Sequence, residues 1–159
     1  MKTVYLSLGS NLGDREANLG AALDLLKPRR VSPIYETEPM DYTAQGCFLN
    51  LAAELETELM PMRLLARTQR IERELGRVRG VPKGPRTLDI DILFYGASII
   101  RSARLEVPHP RIAERRFVLV PLADLAPDLR HPVTHRTVRE LLASAPPARV
   151  RPWVRRSGE

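Results

Sequence analysis

One cysteine in 159 residues, Cys47, leaves no internal disulfide and no cysteine-rich metal site. Next to Phe48 it reads as a small apolar filler. Aromatic residues are scarce at 5%, and the strands lack the clustered aromatics on which RNA-reading sheets stack bases. No apolar run is long enough to span a bilayer, and the start, Met1 to Leu8, turns polar too soon for a signal peptide. A cytoplasmic protein is therefore expected. The common phosphate-binding loops are missing too: there is no G-x-x-x-x-G-K-[ST] and no G-x-G-x-x-G. Internal repeats and a second domain are also absent, so a single domain over residues 1–159 is expected, long enough for a real core.

What is plentiful is positive charge. The net charge of +6 and a pI near 10.1 point to anionic partners, whether nucleic acid, membrane surface or phosphorylated small molecules.

Periodicity gives the order of elements. Val4, Leu6 and Leu8 alternate with Tyr5 and Ser7 as a strand that ends in the turn Gly9 to Gly13. Asp14 is placed to cap a helix carrying Leu19, Leu23 and Leu26, which Pro28 stops. Val31 to Thr37 reads as a second strand, with Pro33 marking an edge or a bulge. Asp41 to Gly46 reads as a loop. Phe48 to Glu56 reads as a third strand, with Leu49, Leu51, Ala53 and Leu55 toward the core and Phe48 and Asn50 on the other face. Pro61 opens a second helix striped with Leu64, Thr68, Ile71 and Leu75 and closed by Gly76. A fourth strand carries Asp89 and Asp91. The order β-α-β-β-α-β predicts an α+β, ferredoxin-like sandwich: an antiparallel sheet with its helices on one face and the other face open for a site. Beyond Gly96 the pattern predicts a short strand near Arg104 to Val107, a helix around Phe117 to Leu125, and a last helix to about Ser144 opened by the Thr137/Glu140 capping box. The tail from Arg149 to Arg156 fits an edge strand or a frayed basic end equally well.

The run from Gly84 to Tyr95 carries the chemistry. Leu88, Ile90 and Ile92 point one way and Asp89 and Asp91 the other, with the two aspartate Cα atoms roughly 6.5 to 7 Å apart. Two carboxylates that close repel unless a cation lies between them. Mg²⁺ suits such a pair, since it takes one or two carboxylates and leaves its other positions to water and phosphate oxygens. Taken alone, an Asp-x-Asp also fits a solvated sheet edge. The neighbouring basic residues favour the metal: Arg67, Arg70, Arg73, Arg77, Arg79, Lys83 and Arg86 precede the strand, and Arg101, Arg104, Arg111, Arg115 and Arg116 follow it. Carboxylates ringed by guanidinium groups are what a nucleoside triphosphate needs.

The chain resembles the 6-hydroxymethyl-7,8-dihydropterin pyrophosphokinase family over nearly its whole length. The resemblance rests on Leu8-Gly9-Ser10-Asn11-Leu12-Gly13, Tyr35-Glu36-Thr37, Phe48-Leu49-Asn50, Gln69-Arg70-Ile71-Glu72, Gly76-Arg77-Val78-Arg79, Gly84 to Ile92, and Val107-Pro108-His109-Pro110-Arg111 followed by Arg115 and Phe117. It implies transfer of the β,γ-diphosphate of ATP to the pterin hydroxymethyl group with release of AMP, two Mg²⁺ ions, and a monomer acting on small molecules rather than nucleic acid or membrane. By the same carry-over Asp89 and Asp91 hold the ions, and Arg77 and Arg86 join them as catalytic residues. Gln69, Glu72, Arg77, Arg79, Lys83, Arg86, Ile92, Arg104, His109 and Arg115 line the ATP site, and Thr37, Met40, Phe48, Asn50 and Phe117 the pterin site. Where members commonly carry a basic residue and then an aromatic before Gly-Pro-Arg, this chain has Pro82 and Lys83. Lys83 then either meets ATP phosphates or covers the pterin with its stem.

Two rivals stand beside this reading. A basic ferredoxin-like RNA-binding module shares the fold, but here the aromatics are missing and aspartates on a central strand would repel a phosphate backbone. A diverged Mg²⁺-dependent phosphotransferase acting on another heterocycle would differ only in its product.

Overall fold

The computed structural model describes residues 1–38, 46–76 and 87–154. Strand β1 (Lys2–Ser10) pairs antiparallel along its whole length with β4 (Phe48–Thr57), Lys2 opposite Thr57 and Ser10 opposite Leu49. The other edge of β1 takes β5 (Asp89–Tyr95). With β2 (Arg30–Val31), β3 (Tyr35–Thr37) and β8 (Val150–Pro152), the sheet runs β5-β1-β4-β3-β8, and β2 also pairs with β4.

Alternation along these strands sorts the side chains onto two faces. Val4, Leu6, Leu8, Leu49, Leu51, Ala53, Leu88, Ile90 and Ile92 bury one face against Leu19, Ala22 and Leu26 of α1 (Arg15–Leu26) and Leu64 and Ile71 of α2 (Pro61–Glu74). Helix α1 starts where Asp14 Oδ1 accepts the Ala17 N–H at 3.1 Å, and it stops at Lys27, whose left-handed φ of 52° precedes Pro28. Helix α2 has Pro61 in its first turn, where the missing N–H costs nothing.

The second face is not open along its length, as the β-α-β-β-α-β pattern had led one to expect. Helix α3 (Arg116–Leu125) and helix α4 (Val138–Ser144) lay Val118, Leu119, Leu122, Val138 and Leu141 over Tyr5, Ala52, Leu93 and Phe94. Thr137 and Glu140 form the expected capping box for α4. A bulge at the Tyr5/Leu6 step of β1 makes this cover possible: Tyr5 faces Phe94 and Leu6 faces Ile92, so Leu93 is the extra residue, and both it and Phe94 turn toward α3. Only the end of this face bearing Asp89, Asp91, Gly9 and Asn50 is left for a site.

Three further points differ from the sequence reading. The expected strand Val31 to Thr37 is split into β2 and β3. Pro33 cannot donate to a ladder, and Ser32 takes over there, exchanging its backbone N–H and side-chain oxygen with Ala52 at 2.9 Å each. The strand with the aspartates is an edge strand, not a central one, because strand order is set by long-range pairing that periodicity does not carry. The strand expected near Arg104 is shorter: β7 (Glu106–Val107) pairs with β6 (Ile100–Arg101) as a separate ribbon beside β5. The tail does form an edge strand, β8, on β3. Among the described residues, no helix is long and apolar enough to cross a membrane.

Candidate active site

The register of the sheet draws the site. On the exposed end of the second face, Asp89 lies beside Gly9 and Gly9 beside Asn50, while Asp91 lies beside Ser7 and Ser7 beside Ala52. Two inter-strand spacings separate Asn50 from Asp89, roughly 10 Å.

Thr37, Phe48 and Asn50 meet at one end of this row. Asn50 is buried, and its Nδ2 donates to Thr37 Oγ1 at 2.5 Å, fixing which end of the amide points where. The amide lies directly over Gly9: a Cβ on Gly9 would stand 2.5 Å from Asn50 Oδ1 and 3.3 Å from Phe48 Cδ1. Only glycine leaves room for that floor. The patch offers an aromatic face, a hydroxyl and an amide with both donor and acceptor character, which suits a flat heterocycle with a mixed polar edge.

The carboxylates occupy the other end. Asp89 and Asp91 are half-buried on one face of β5. Arg115 Nη1 approaches Asp91 Oδ2 at 3.8 Å, and its guanidinium lies 5.8 Å from the Phe117 ring centroid, which brings Phe117 to the carboxylates' side. Arg115 Nε is buried with no hydrogen-bond partner among the described residues. A buried donor in that condition is an attachment point for an anion.

Past the outer edge of β5 opens a cleft of about 340 Å³. Leu65, Ile90, Ile92, Ala103 and Leu105 give it apolar walls, and Asp91, Arg104 and His109 give it polar ones. The Ile90 N–H points outward, where Glu72 Oε2 accepts it at 2.8 Å. Alternation then turns the backbone polar groups of Ile92, two residues on, toward the same side. A slot with apolar walls and a backbone donor and acceptor at its rim takes a planar base.

His109 follows the cis Val107–Pro108 peptide. Its N–H donates to Leu93 O at 3.0 Å and its Nδ1 accepts the Arg111 N–H at 3.2 Å. Burial first, and then the positive charge of Arg115, push its imidazole down to about 4, against a smaller upward pull from Asp89. At neutral pH the ring is uncharged, and with Nδ1 engaged as an acceptor the proton sits on Nε2, available to a phosphate or sugar oxygen.

Of the residues expected to line an ATP site, the structure thus brings Ile92, Arg104 and His109 to the cleft and Arg115 beside Asp91. Glu72 is different: it is 4% exposed and holds the backbone between the two aspartates, so it anchors β5 rather than walling the cleft. Gln69 is half-buried on α2 and is not a wall of the cleft either. Met40, Arg77, Arg79, Lys83 and Arg86 lie outside the described residues. Two contributors had no signal in the sequence taken locally: Gly9 as the floor beneath Asn50, and Leu65 as a cleft wall. Both emerge only from the pairing of β1 with β4 and the packing of α2.

The donor set fits Mg²⁺. Among the described residues no three His, Cys, Asp or Glu side chains gather as an all-protein cage. Two carboxylates beside an open cleft leave most ligand positions to water and phosphate oxygens, as Mg²⁺ prefers.

Comparison with known proteins gives the chain its relatives. A 2-amino-4-hydroxy-6-hydroxymethyldihydropteridine pyrophosphokinase of Bacillus subtilis is 45% identical over 160 residues, covering 97% of this chain and 92% of that one. The folic acid synthesis protein fol1 of Schizosaccharomyces pombe is 44% identical over 156 residues, 94% of this chain; the chain spans about a fifth of that relative's length, 21%. In fold, the chain is similar to the crystal structure of Plasmodium falciparum HPPK-DHPS with STZ-DHP, with a TM-score of 0.71 at 17% identity over 89% of this chain and 45% of that one. The model of the 7,8-dihydro-6-hydroxymethylpterin-pyrophosphokinase (HPPK) family matches residues 5–127, and the chain belongs to that family.

Proposed function

We propose that this chain transfers the β,γ-diphosphate of ATP to the hydroxymethyl group of 6-hydroxymethyl-7,8-dihydropterin, giving AMP and the pterin diphosphate, a step of folate biosynthesis. The observation that carries the reading is the row across the sheet: Asp89 and Asp91 stand between a heterocycle-sized patch at Thr37, Phe48 and Asn50 and a base-sized cleft at Ile92. A diphosphate donor and its acceptor can both reach the carboxylates from these two sides.

In this reading Asp89 and Asp91 hold two Mg²⁺ ions, which when bound draw charge off the α- and β-phosphates. Asn50 and Thr37 read the polar edge of the pterin, and Phe48 and Phe117 take its faces. The cleft holds adenosine against Ile92, with Arg104 and His109 Nε2–H toward the ribose and phosphates. Arg115, whose Nε has no partner among the described residues, meets phosphate beside Asp91. Arg77, Arg79, Lys83 and Arg86 supply further positive charge, Arg77 and Arg86 at the reacting phosphates. The pterin hydroxyl oxygen attacks the β-phosphorus and gives up its proton to water, the bond from that phosphorus to the α,β-bridging oxygen breaks, and the electron pair leaves on AMP. The task is one of holding nucleophile, phosphorus and leaving oxygen in line. Glu72 acts from behind, through the Ile90 N–H of β5. The same reading makes residues 1–159 one domain that works as a monomer in the cytoplasm, on small molecules and not on nucleic acid.

The test is product analysis. With ATP, Mg²⁺ and the reduced pterin, chromatography should resolve AMP and the pterin diphosphate in equal amounts. ADP as the sole nucleotide product, or no turnover with fresh reduced pterin, overturns the assignment.

A further inference from the structure

Behind the Thr37, Phe48 and Asn50 patch, on the helix-facing side of the same strands, three charged side chains from distant parts of the chain converge. Glu36 of β3 accepts Arg15 Nη1 on Oε2 at 3.1 Å, and on Oε1 it accepts Arg151 Nε and Nη2 at 3.1 and 2.6 Å. The same Arg15 Nη1 donates to the Cys47 carbonyl at 3.0 Å, and its guanidinium lies 5.1 Å from the Trp153 ring centroid. Trp153 is held in turn by its backbone N–H, which donates to Ile34 O at 2.9 Å.

The placement of these contacts matters more than their number. Glu36 immediately precedes Thr37, and Cys47 immediately precedes Phe48; Thr37 and Phe48 are register partners. Because successive side chains point to opposite faces, fixing Glu36 and the Cys47 carbonyl from behind sets where Thr37 and Phe48 stand in front. The Asn50 to Thr37 hydrogen bond spans the same two strands. An ordinary exposed ion pair contributes about 0–1 kcal/mol and positions nothing. The carboxylate at the centre of this one is different: the Glu36 and Arg15 side chains are only 17% and 24% exposed, and Glu36 receives three N–H donors, two of them from Arg151, whose own side chain is 65% exposed. Those donors, Arg151 foremost and then Arg15, hold the Glu36 carboxyl below the usual carboxylate range against the opposing effect of burial.

We propose that Arg15, Glu36 and Arg151 form a clasp that positions Thr37, Phe48 and Asn50 for the pterin ring, so that the start of α1 and the C-terminal strand β8 tune heterocycle binding without touching either substrate. The inference rests on the assignment of that patch to the pterin. It makes these three residues positioning residues, and it separates them from the ATP cleft on the far edge of the sheet.

The test compares Arg15→Met, which keeps the stem and removes the guanidinium, with Arg15→Lys, Glu36→Gln and Arg151→Met. Arg29→Met serves as the control, because it breaks the 2.5 Å Arg29–Glu56 pair at the opposite end of β4. Steady-state kinetics should show KM for the pterin rising about three- to tenfold in Arg15→Met, Glu36→Gln and Arg151→Met. ATP KM and kcat should stay within about twofold. Arg15→Lys should recover part of the loss, since one ammonium can serve Glu36 or the Cys47 carbonyl with poorer geometry. The Arg15→Met/Glu36→Gln double variant should lose less than the two singles combined. Independently of turnover, the Asn50 side-chain amide resonances should shift in Arg15→Met and Glu36→Gln and stay put in Arg29→Met. If wild-type protein makes AMP from ATP and pterin while these variants leave pterin KM unchanged, or raise ATP KM equally, the clasp is refuted and the assigned function stands. If wild-type protein neither binds nor turns over the pterin, the assigned function fails and the clasp's role falls with it. Should Arg15→Met not fold, Glu36→Gln and Arg15→Lys decide by the same readouts.

Discussion

Replacing Gly9 by alanine asks whether the floor beneath Asn50 matters for one substrate and not the other. Gly9 sits in β1 with an ordinary backbone conformation, since the left-handed glycines among the described residues are Gly13, Gly76 and Gly96, so the main chain accepts alanine without strain. The new Cβ would meet Asn50 Oδ1 at 2.5 Å, where ordinary contact begins at 3.4 Å. The amide must therefore retreat by about 1 Å, a displacement that its hydrogen bond to Thr37 cannot follow. Losing a buried hydrogen bond costs about 1–3 kcal/mol, which at 1.4 kcal/mol per tenfold is about 5- to 150-fold in pterin affinity. ATP, which the proposed function places beyond β5, should change by less than about twofold in affinity. Fluorescence titration of pterin and of an ATP analogue, with a melting curve for each variant, gives the comparison. Gly20→Ala is the control: nothing lies within 4 Å of a Cβ there, in the middle of α1, and it should stabilise by about 0.5–1 kcal/mol with both affinities unchanged. Native pterin affinity in a folded Gly9→Ala protein would refute the placement of the heterocycle over Asn50.

Other outcomes follow from single contacts. Asp89→Asn and Asp91→Asn should each lower kcat by about a hundredfold or more at saturating Mg²⁺ while leaving a cooperative melting transition; near-normal turnover would contradict the ion site. Glu54 accepts from Tyr5 at 2.7 Å and from Arg30 at 2.8 and 2.9 Å, and the Arg30 bonds hold its carboxyl down to about 2. Its folded pKa lies below the unfolded value of 4.5, so its stabilisation is complete above that pH and is lost as pH falls toward about 2. In urea unfolding Glu54→Gln should be about 1–3 kcal/mol less stable at neutral pH, with the gap to wild type narrowing as the buffer is acidified below pH 4.5; a gap independent of pH would contradict the pairing. The His109 Cε1 proton should titrate near pH 4 by NMR in the free protein, and a midpoint near its ordinary 6.5 would mean the ring is solvated.

Much of this was legible in the sequence because it depends on local rules. Helix starts at Asp14, Pro61 and Thr137, and the alternation that puts Asp89 and Asp91 opposite Ile90, need only neighbours in the chain. What depends on pairing was not legible. The position of β5 at the sheet edge is what opens a cleft beside Ile92, and no local pattern encodes strand order. The covering of the second face by α3 and α4 required the bulge that turns Leu93 and Phe94 the same way. Glu72, which the resemblance puts in the ATP site, lies buried because the outward N–H of Ile90, on an edge strand, has no neighbouring strand to accept it. Pro33 did flag its irregularity, but Ser32 standing in for the ladder is a long-range contact with Ala52.

The central claim is that the pterin oxygen attacks the β-phosphorus of ATP at Asp89 and Asp91. Substrate labelled with ¹⁸O in its hydroxymethyl group tests it directly, read by the isotope shift in ³¹P NMR. The account predicts the label in the oxygen joining the pterin to the first phosphorus of its diphosphate, and unlabelled AMP. Label in AMP, or a pterin monophosphate formed with ADP, would contradict it.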